Sequence, residues 1–516
     1  YYLHKTLSAV NAVESFRYRI DNDEIYIFEK IDASATLTRD DNTFGFSLIP
    51  FYADFETFQE KALEEIERVR NTTGLFTRSF EVDKEMIQLN DIKEVYFVGI
   101  GGIGMSAIAR FFNEKGVKVS GYDKTVTPLT AQLEAEGIEV HYKEEVERIP
   151  KDVQLVVYTP AIPKEHKEYQ YYLQNGYSVV KRSDVLQIIT QSSLNICVAG
   201  THGKTTISTM TGHLLRHSGF GCNAFLGGIA VNYNRNFWSS ENNVCVVEAD
   251  EYDRSFHKLS PDIAVITAMD ADHLDIYGTA EAMEEAFIEF TRKIKPGGWL
   301  ISKHGLERTN DLVAANQITY HLNDVNATVH SKNLKVQNGS YLFDAVMNEW
   351  MLGDVQLNVG GLHNVENVLA AIAVAHILKI DDDRIRESVK AFKGVKRRFE
   401  YVIAPGEGDV TFVDDYAHHP EELKALITGA RSMFADKKLV LVFQPHLFTR
   451  TRDLADGFAE SLDMADEVML LPIYPARELP IEGVTSELIL NKMKLVKKQI
   501  VTKEELLNEV RNKVDK

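Results

Sequence analysis

The chain has 516 residues, 44% hydrophobic and 26% charged, with a formal net charge of -19. That length exceeds one hydrophobic core and predicts three or four domains of ordinary globular composition. The acidic balance opposes general binding to nucleic acid or to an anionic membrane surface; no apolar run reaches bilayer length and no charged-then-apolar leader opens the chain, so no membrane insertion is expected.

The first 83 residues differ in pattern from the rest of the chain. Short strand-like runs fall at 16–20, 24–28, 33–38 and 43–49, and a charged stretch of helical period at 55–70. His4 is the only histidine in the segment. Its ESFRYRIDNDEIYIF and FGFSLIPFYADFETF stretches resemble an internal piece of the chloramphenicol acetyltransferase family. The H-x-x-x-D-G motif on which that family's acetyl transfer depends is absent, so residues 1–85 are expected to be an inactive, acetyltransferase-like fragment. Met86 would serve as a normal protein start, and a fused or misassembled reading frame is the simplest account of the residues before it.

From residue 95 strands and helices alternate. The run 95–98 enters GIGGIGMS, a helix continues to about Lys115, and a second strand at 117–122 ends at Asp123; shorter strands fit 154–158 and 178–181. Gly99, Gly101 and Gly104 satisfy G-x-G-x-x-G in a strand-to-helix context. Such a turn accepts a pyrophosphate at the helix N-terminus, and the motif alone fits a nicotinamide dinucleotide as well as a nucleotide sugar.

A helical connector at 183–191 precedes NICVAGTHGKTTISTMT. Here 195–199 reads as an apolar strand, 200–204 as a turn of small residues, and Thr205 onward as a helix. Backbone N–H groups of Gly200, Thr201, His202, Gly203 and Lys204, the helix dipole and the Lys204 ammonium together predict a phosphate site, with the Thr205 hydroxyl offered to magnesium. The general G-x-x-x-x-G-K-[ST] pattern is not fully met, since Val198 occupies its first glycine position. Strands at 244–247 and 263–267 end in EADEYD and AMDADHLD, which places Glu248 and His273 where open parallel sheets carry metal ligands. A helix at 279–293 and an antiparallel patch at 329–357 come next, then a long apolar-faced helix with His363, Asn364 and Asn367 near its start.

A third α/β unit begins near Lys393, with strands expected at 410–413, 439–443 and 468–471 and the motifs DDYAHHP and PHLFTRTRDL behind the first two. The three cysteines, Cys197, Cys222 and Cys245, sit in apolar stretches without metal-type spacing and read as reduced core residues of a cytoplasmic protein.

Taken together and in this order, GIGGIGMSAIA, GTHGKTT, EADEYDRSF, DADHLD, GLHNVENVLAA, KRRFE, DDYAHHP and PHLFTRTRDL resemble the Mur ligase family over about residues 86–516, in particular its branch that adds L-alanine to UDP-N-acetylmuramate. The resemblance implies three doubly wound α/β domains after the partial α+β segment. These are a Rossmann-like UDP-sugar domain at 86–191, a central ATP-binding domain at 192–391 and a Rossmann-like amino-acid domain at 392–516. It implies ATP as co-substrate with Mg2+, and a monomer or weak homodimer.

By the same resemblance, Gly99, Gly101, Gly102, Gly104, Met105, Ser106 and Asp123 serve the UDP-sugar, and Gly200 to Thr206 the ATP phosphates. Lys204, Glu248, His273 and Arg398 are the implied catalytic set, with Thr205, Glu248 and His273 holding metal. His363 and Asn367 belong to the adenine side and Asp415 to the ribose, while Tyr416, His418, His446 and Arg450 line the amino-acid site. His418, His419 and His446 have an ordinary reading too, as locally hydrogen-bonded or solvent-facing histidines.

Two departures stand out. Leu447 occupies a position where some relatives carry an arginine, leaving Arg452 as a substitute cation or a plain surface residue. Relatives also continue beyond NEVRNKVDK, so the third domain is expected to be truncated and to lack an edge strand. The rival functions are a recycling ligase acting on the same sugar nucleotide with a ready-made peptide, a nicotinamide oxidoreductase, and a non-functional fusion product.

Overall fold

The computed structural model describes residues 2–6, 13–21, 24–31 and 89–514, apart from 253, 271–273, 338, 407–409 and 477. Two compact units divide the chain, Tyr1–Gln88 and Leu89–Lys516. In the first, β1 (Tyr2–Thr6), β2 (Val13–Asp21) and β3 (Glu24–Ile31) form an antiparallel sheet in that order, which includes the strands expected at 16–20 and 24–28. The other elements expected there, with most of the acetyltransferase resemblance and Met86, lie outside the described residues.

The second unit opens with a five-stranded parallel sheet. Its strands are β4 (Glu94–Val98), β5 (Lys118–Tyr122), β6 (Glu139–His141), β7 (Leu155–Tyr158) and β8 (Val179–Lys181), in the order β6-β5-β4-β7-β8. Val95 to Val98 are fully buried, as expected for a central strand covered on both faces. The strand order reverses at β4, so the glycine turn that leaves its C-terminal end and enters α1 (Ile103–Glu114) sits at the switch point of the sheet.

The helix Arg182–Thr190 leads into a ten-stranded sheet. Its strands are β9 (Leu194–Ala199), β10 (Asn223–Ala230), β11 (Arg235–Trp238), β12 (Val244–Glu248), β13 (Ile263–Ile266), β14 (Trp299–Lys303), β15 (Asn316–Tyr320), β16 (Val329–Gln337), β17 (Ser340–Met347) and β18 (Trp350–Leu357). They lie in the order β11-β10-β12-β9-β13-β14-β15-β16-β17-β18, parallel from β10 to β16 and antiparallel at both ends. Strand β9 is flanked by β12 and β13, in a register that pairs Ile196 with Val246 and Cys197 with Ala264. The loop after β9 therefore opens between the ends of two neighbours that carry acidic residues.

Two helices seal this sheet, α2 (Lys204–His217) and α3 (Leu362–Ile377). Ile207, Met210 and Leu214 of α2 share one core with Val365, Leu369 and Ile372 of α3. From Val368 to Ala375 every residue of α3 is fully buried, which explains its run of small and aliphatic side chains. All three cysteines are buried and free, in agreement with the core reading.

In the third part, β19 (Glu400–Ile403) and β20 (Phe412–Asp414) form an antiparallel pair, and β21 (Val440–Phe443), β22 (Glu467–Leu470) and β23 (Lys498–Ile500) a parallel sheet. The strand expected at 410–413 thus starts later and pairs with β19 instead of joining the parallel sheet. Phe399 anchors β19 locally: its ring fills the space beside Gly360, and its N–H donates to Asp415 Oδ2 at 2.7 Å just after β20. No helix among the described residues is long and apolar enough to cross a membrane.

Candidate active site

The phosphate loop is shaped by contact with the end of β13. Gly200 has φ +132° and lies so close to the Thr267 side chain and the Ala268 backbone that a Cβ would collide with both. Thr201 N–H donates to Ala268 O at 3.2 Å, and the Thr267 hydroxyl donates to His202 O. Gly203, at φ +81°, caps α2, and a Cβ there would stand 3.3 Å from Asn367 Oδ1. Asn367 from α3 is thereby placed against the loop. Its amide donates to Asn364 Oδ1 at 3.3 Å, and Asn364 in turn donates to Gly360 O at 2.6 Å. Thr201 and Thr206 are buried, whereas His202 is exposed, 3.9 Å from Asp270.

Lys204 Nζ donates to Gly200 O at 2.5 Å and to Glu251 Oε1 at 2.7 Å. Glu251 is 1% exposed; burial pushes its carboxyl above the usual range, against the pull of Lys204. Thr205 Oγ1 donates to Glu248 Oε1 at 2.9 Å, and Gly227 N–H donates to Glu248 Oε2 at 2.8 Å. Ser208 Oγ lies 3.4 Å from the same Oε2. A hydroxyl and a carboxylate are hard oxygen donors beside a phosphate loop, and that donor set suits Mg2+, which takes few protein ligands and completes its shell with phosphate and water. His273, the third expected ligand, lies outside the described residues.

The first glycine loop is braced from within. Gly99 (φ +90°) and Ile100 donate to Tyr122 O at 2.8 and 2.9 Å, and Gly101 N–H donates to Asp123 Oδ2 at 2.8 Å. Asp123 thus holds the turn in place. Gly102 is the N-cap of α1, and Gly104 lies against the guanidinium of Arg182, which leaves no room for a side chain. Met105 and Ser106 are buried behind the turn, where the Ser106 hydroxyl donates to Ile103 O at 2.9 Å and accepts from Asn236 at 3.0 Å.

Residues from the third part approach the same end of the central sheet. Asp415 accepts from Phe399 and Ala417 N–H groups, both at 2.7 Å. Burial pushes its carboxyl up to about 6, against these hydrogen bonds and the exposed Arg398 guanidinium nearby. His363 opens onto a cleft of about 280 Å³ with Leu362, Glu421, Lys424 and Thr428, the last three on α4 (Pro420–Met433). His419 is the N-cap of α4, accepting from Glu421 N–H at 3.4 Å, a structural duty.

Tyr416, His418, His446 and Tyr474 form an aromatic row, with successive ring centroids 5.3, 6.2 and 5.7 Å apart. His446 Nδ1 and Arg450 Nη1 are buried without a hydrogen-bond partner among the described residues. Burial, then Arg450 and His418, hold the His446 imidazole below its ordinary value. Leu447 adopts φ +72° as it enters α5 (Phe448–Asp453), and Arg452 is exposed and paired with Asp453 at 2.7 Å, which makes it a surface residue.

Glu251, Arg182 and Tyr474 are absent from the residues singled out from the sequence. Glu251 alone carried a signal, as one of several acids in EADEYD. Tyr474 lies 28 positions after His446 without any shared period.

Three family models match in succession: "Mur ligase family, catalytic domain" at 94–193, "Mur ligase middle domain" at 198–375 and "Mur ligase, glutamate ligase domain" at 397–515. Over 429 residues, the chain is 48% identical to a UDP-N-acetylmuramate–L-alanine ligase of Phocaeicola vulgatus, covering 82% of this chain and 93% of the relative. It is 46% identical to that of Flavobacterium johnsoniae, again over 82% and 93%. Among solved structures it resembles a UDP-N-acetylmuramate-alanine ligase of Thermotoga maritima, with TM-score 0.70 and 28% identity over 81% of this chain and 92% of the other. The fold is shared with a murein peptide ligase of Psychrobacter arcticus, at TM-score 0.57 and 22% identity over 81% and 92%. With these matches spanning both anion loops and the third part, the chain belongs to the Mur ligase family.

Proposed function

We propose that the chain is an ATP-dependent ligase that joins L-alanine to the lactyl carboxylate of UDP-N-acetylmuramate in peptidoglycan precursor synthesis. The observation that carries this reading is the phosphate loop with Lys204, Thr205 and Glu248 gathered at the ends of β9 and β12, in a chain 48% identical to a ligase of that name. A carboxylate is a poor electrophile because its leaving group would be hydroxide-like. Transfer of the γ-phosphoryl group to the carboxylate oxygen gives an acyl phosphate; the amine of L-alanine then attacks the acyl carbon, phosphate leaves and an amide remains.

Both reactants of the first step are anions, so the protein's task is alignment and charge neutralisation. Lys204 supplies a cation to the β- and γ-phosphates, and Arg398 a second from the third part. Thr205 and Glu248, with His273, would hold Mg2+, which when bound neutralises charge on the phosphates. Asn367 and His363 serve the adenine side, and Asp415 accepts from the ribose hydroxyls. Arg450 Nη1, buried without a partner among the described residues, suits the alanine carboxylate, with Tyr416, His418 and His446 around it. In this reading residues 86–191 hold the UDP-sugar, 192–391 ATP and 392–516 the amino acid, and the reaction belongs to the cytoplasm, where its soluble anionic substrates are found. Incubating the protein with ATP, Mg2+, UDP-N-acetylmuramate and L-alanine and weighing the products by mass spectrometry tests it: the expected product is the alanyl amide of the sugar nucleotide, and its absence rejects the reading.

A further inference from the structure

Asp250 and Glu251 are neighbours just beyond β12, and each carboxylate accepts from a cation that stands at a different glycine loop. Asp250 Oδ2 accepts from Arg182 Nη2 at 3.1 Å. The other terminal nitrogen of Arg182 occupies the space beside Gly104, in the first turn of α1, where the first glycine loop ends. Glu251 Oε1 accepts from Lys204 Nζ at 2.7 Å, and its Oε2 is buried without a hydrogen-bond partner among the described residues. One short acidic segment therefore meets Lys204 of the phosphate loop directly and reaches the first glycine loop through Arg182.

The geometry at Lys204 is specific. An ammonium has three donors. One goes to Gly200 O and one to Glu251, which among the described residues leaves a single N–H free and its direction fixed. A side chain with four rotatable bonds would otherwise sample many positions over the loop, and the entropy of ordering it would fall on the bound ATP complex. Burying a carboxylate whose one charged partner among the described residues is Lys204 is costly, so Glu251 contributes little to stability beyond what an apolar residue would give. Its use lies in where it holds the lysine. Arg182, 28% exposed, is held more loosely, by one hydrogen bond to the 42% exposed Asp250, between the first loop and the acidic segment beyond β12.

We infer that Asp250 and Glu251 are positioning residues, Glu251 aiming the Lys204 ammonium at the phosphates of ATP and Asp250 aiming the Arg182 guanidinium at the anionic groups of the acceptor. The inference rests on the ligase reading. It assigns Arg182 to the acceptor side and makes the pair of acids the physical link between the two substrate loops.

Initial-rate kinetics on the full chain, varying ATP, UDP-N-acetylmuramate and L-alanine in turn, tests it. Glu251→Ala is expected to lower kcat about tenfold or more while the acceptor KM stays within about twofold. Glu251→Gln, whose amide oxygen still accepts from Lys204, restores most of kcat. Asp250→Ala raises the acceptor KM about tenfold with the ATP KM unchanged, and Asp250→Asn falls between it and the parent. Alanine variants that leave every constant within about twofold of the parent, or that move kcat and all three KM values together, overturn the inference. If Glu251→Ala does not fold, Glu251→Asp decides, because its shorter carboxylate draws Lys204 back: kcat below that of Glu251→Gln supports the role, and a parental kcat contradicts it. A parent enzyme that turns over but ignores these changes rejects the positioning role alone; a parent that forms no amide rejects the ligase reading together with it.

Discussion

Thr205 Oγ1 lies 2.9 Å from Glu248 Oε1, a contact between residues 43 positions apart that joins the start of α2 to the end of β12. It exists because β9 and β12 are adjacent and parallel, so the loop that leaves one strand meets the acid that ends the other. Two oxygen donors at this separation, next to a lysine and the loop, form a donor set of the kind that suits a magnesium ion and phosphate oxygens.

Substituting Glu248→Gln keeps the hydrogen bond from Thr205 possible but removes the charge. The expected outcome is a loss of kcat of about 100-fold or more, with the activity that remains needing a higher Mg2+ concentration. A magnesium titration of the rate on parent and variant checks it.

Lys204→Ala is expected to abolish turnover while UDP-N-acetylmuramate still binds, because the first glycine loop is braced by Tyr122 and Asp123 and owes nothing to Lys204. Calorimetric titration of the variant with the sugar nucleotide should give a dissociation constant within about threefold of the parent. Loss of both activities would show that the two loops are not separate sites.

Arg450 carries a buried nitrogen that lacks a partner among the described residues, and Arg452, bound to Asp453, does not share its position. Arg450→Ala is expected to raise the KM for L-alanine by roughly 10- to 100-fold, the worth of a charge-assisted hydrogen bond of about 1.5–3 kcal/mol, with the ATP KM unchanged. Initial rates with L-alanine and ATP varied in turn check it.

Asp415 titrates near 6 because it is shielded from water. Its ionised form is the better acceptor for ribose hydroxyls, so protonation weakens nucleotide binding. The KM for ATP should therefore rise as pH falls through about 6. In Asp415→Asn that limb should disappear, leaving a weaker, pH-independent KM over the same range.

The main line of the fold was legible because alternating apolar strands and periodic helices, punctuated by glycine, leave little choice of architecture. The strand–turn–helix at Gly200 is the clearest case: its apolar run, small turn and GKTT end place the strand and the helix to within one residue of Leu194–Ala199 and of the helix start at Lys204. Glu248 was legible for a related reason, since it ends an apolar strand. Glu251 was not singled out, because EADEYD offers several acids and only the folded chain separates the one beside Lys204 from the one beside Arg182. Asp123 is legible as the acid that ends the second strand, whereas the bond its Oδ2 accepts from the loop's own Gly101 amide is a local contact that sequence spacing does not reveal. The pairing of β20 with β19 likewise depends on where Phe399 packs, against a glycine in the loop before α3 that is remote in sequence.

The central claim is that ATP cleavage is tied to amide formation between L-alanine and UDP-N-acetylmuramate. The most direct measurement is phosphate release from ATP and magnesium with each acceptor omitted in turn, and with a peptide of the recycling type in place of L-alanine. The account predicts sustained release only when UDP-N-acetylmuramate and L-alanine are both present, with one phosphate for each amide formed. No release with all substrates supplied, or faster release with the peptide than with L-alanine, would contradict it.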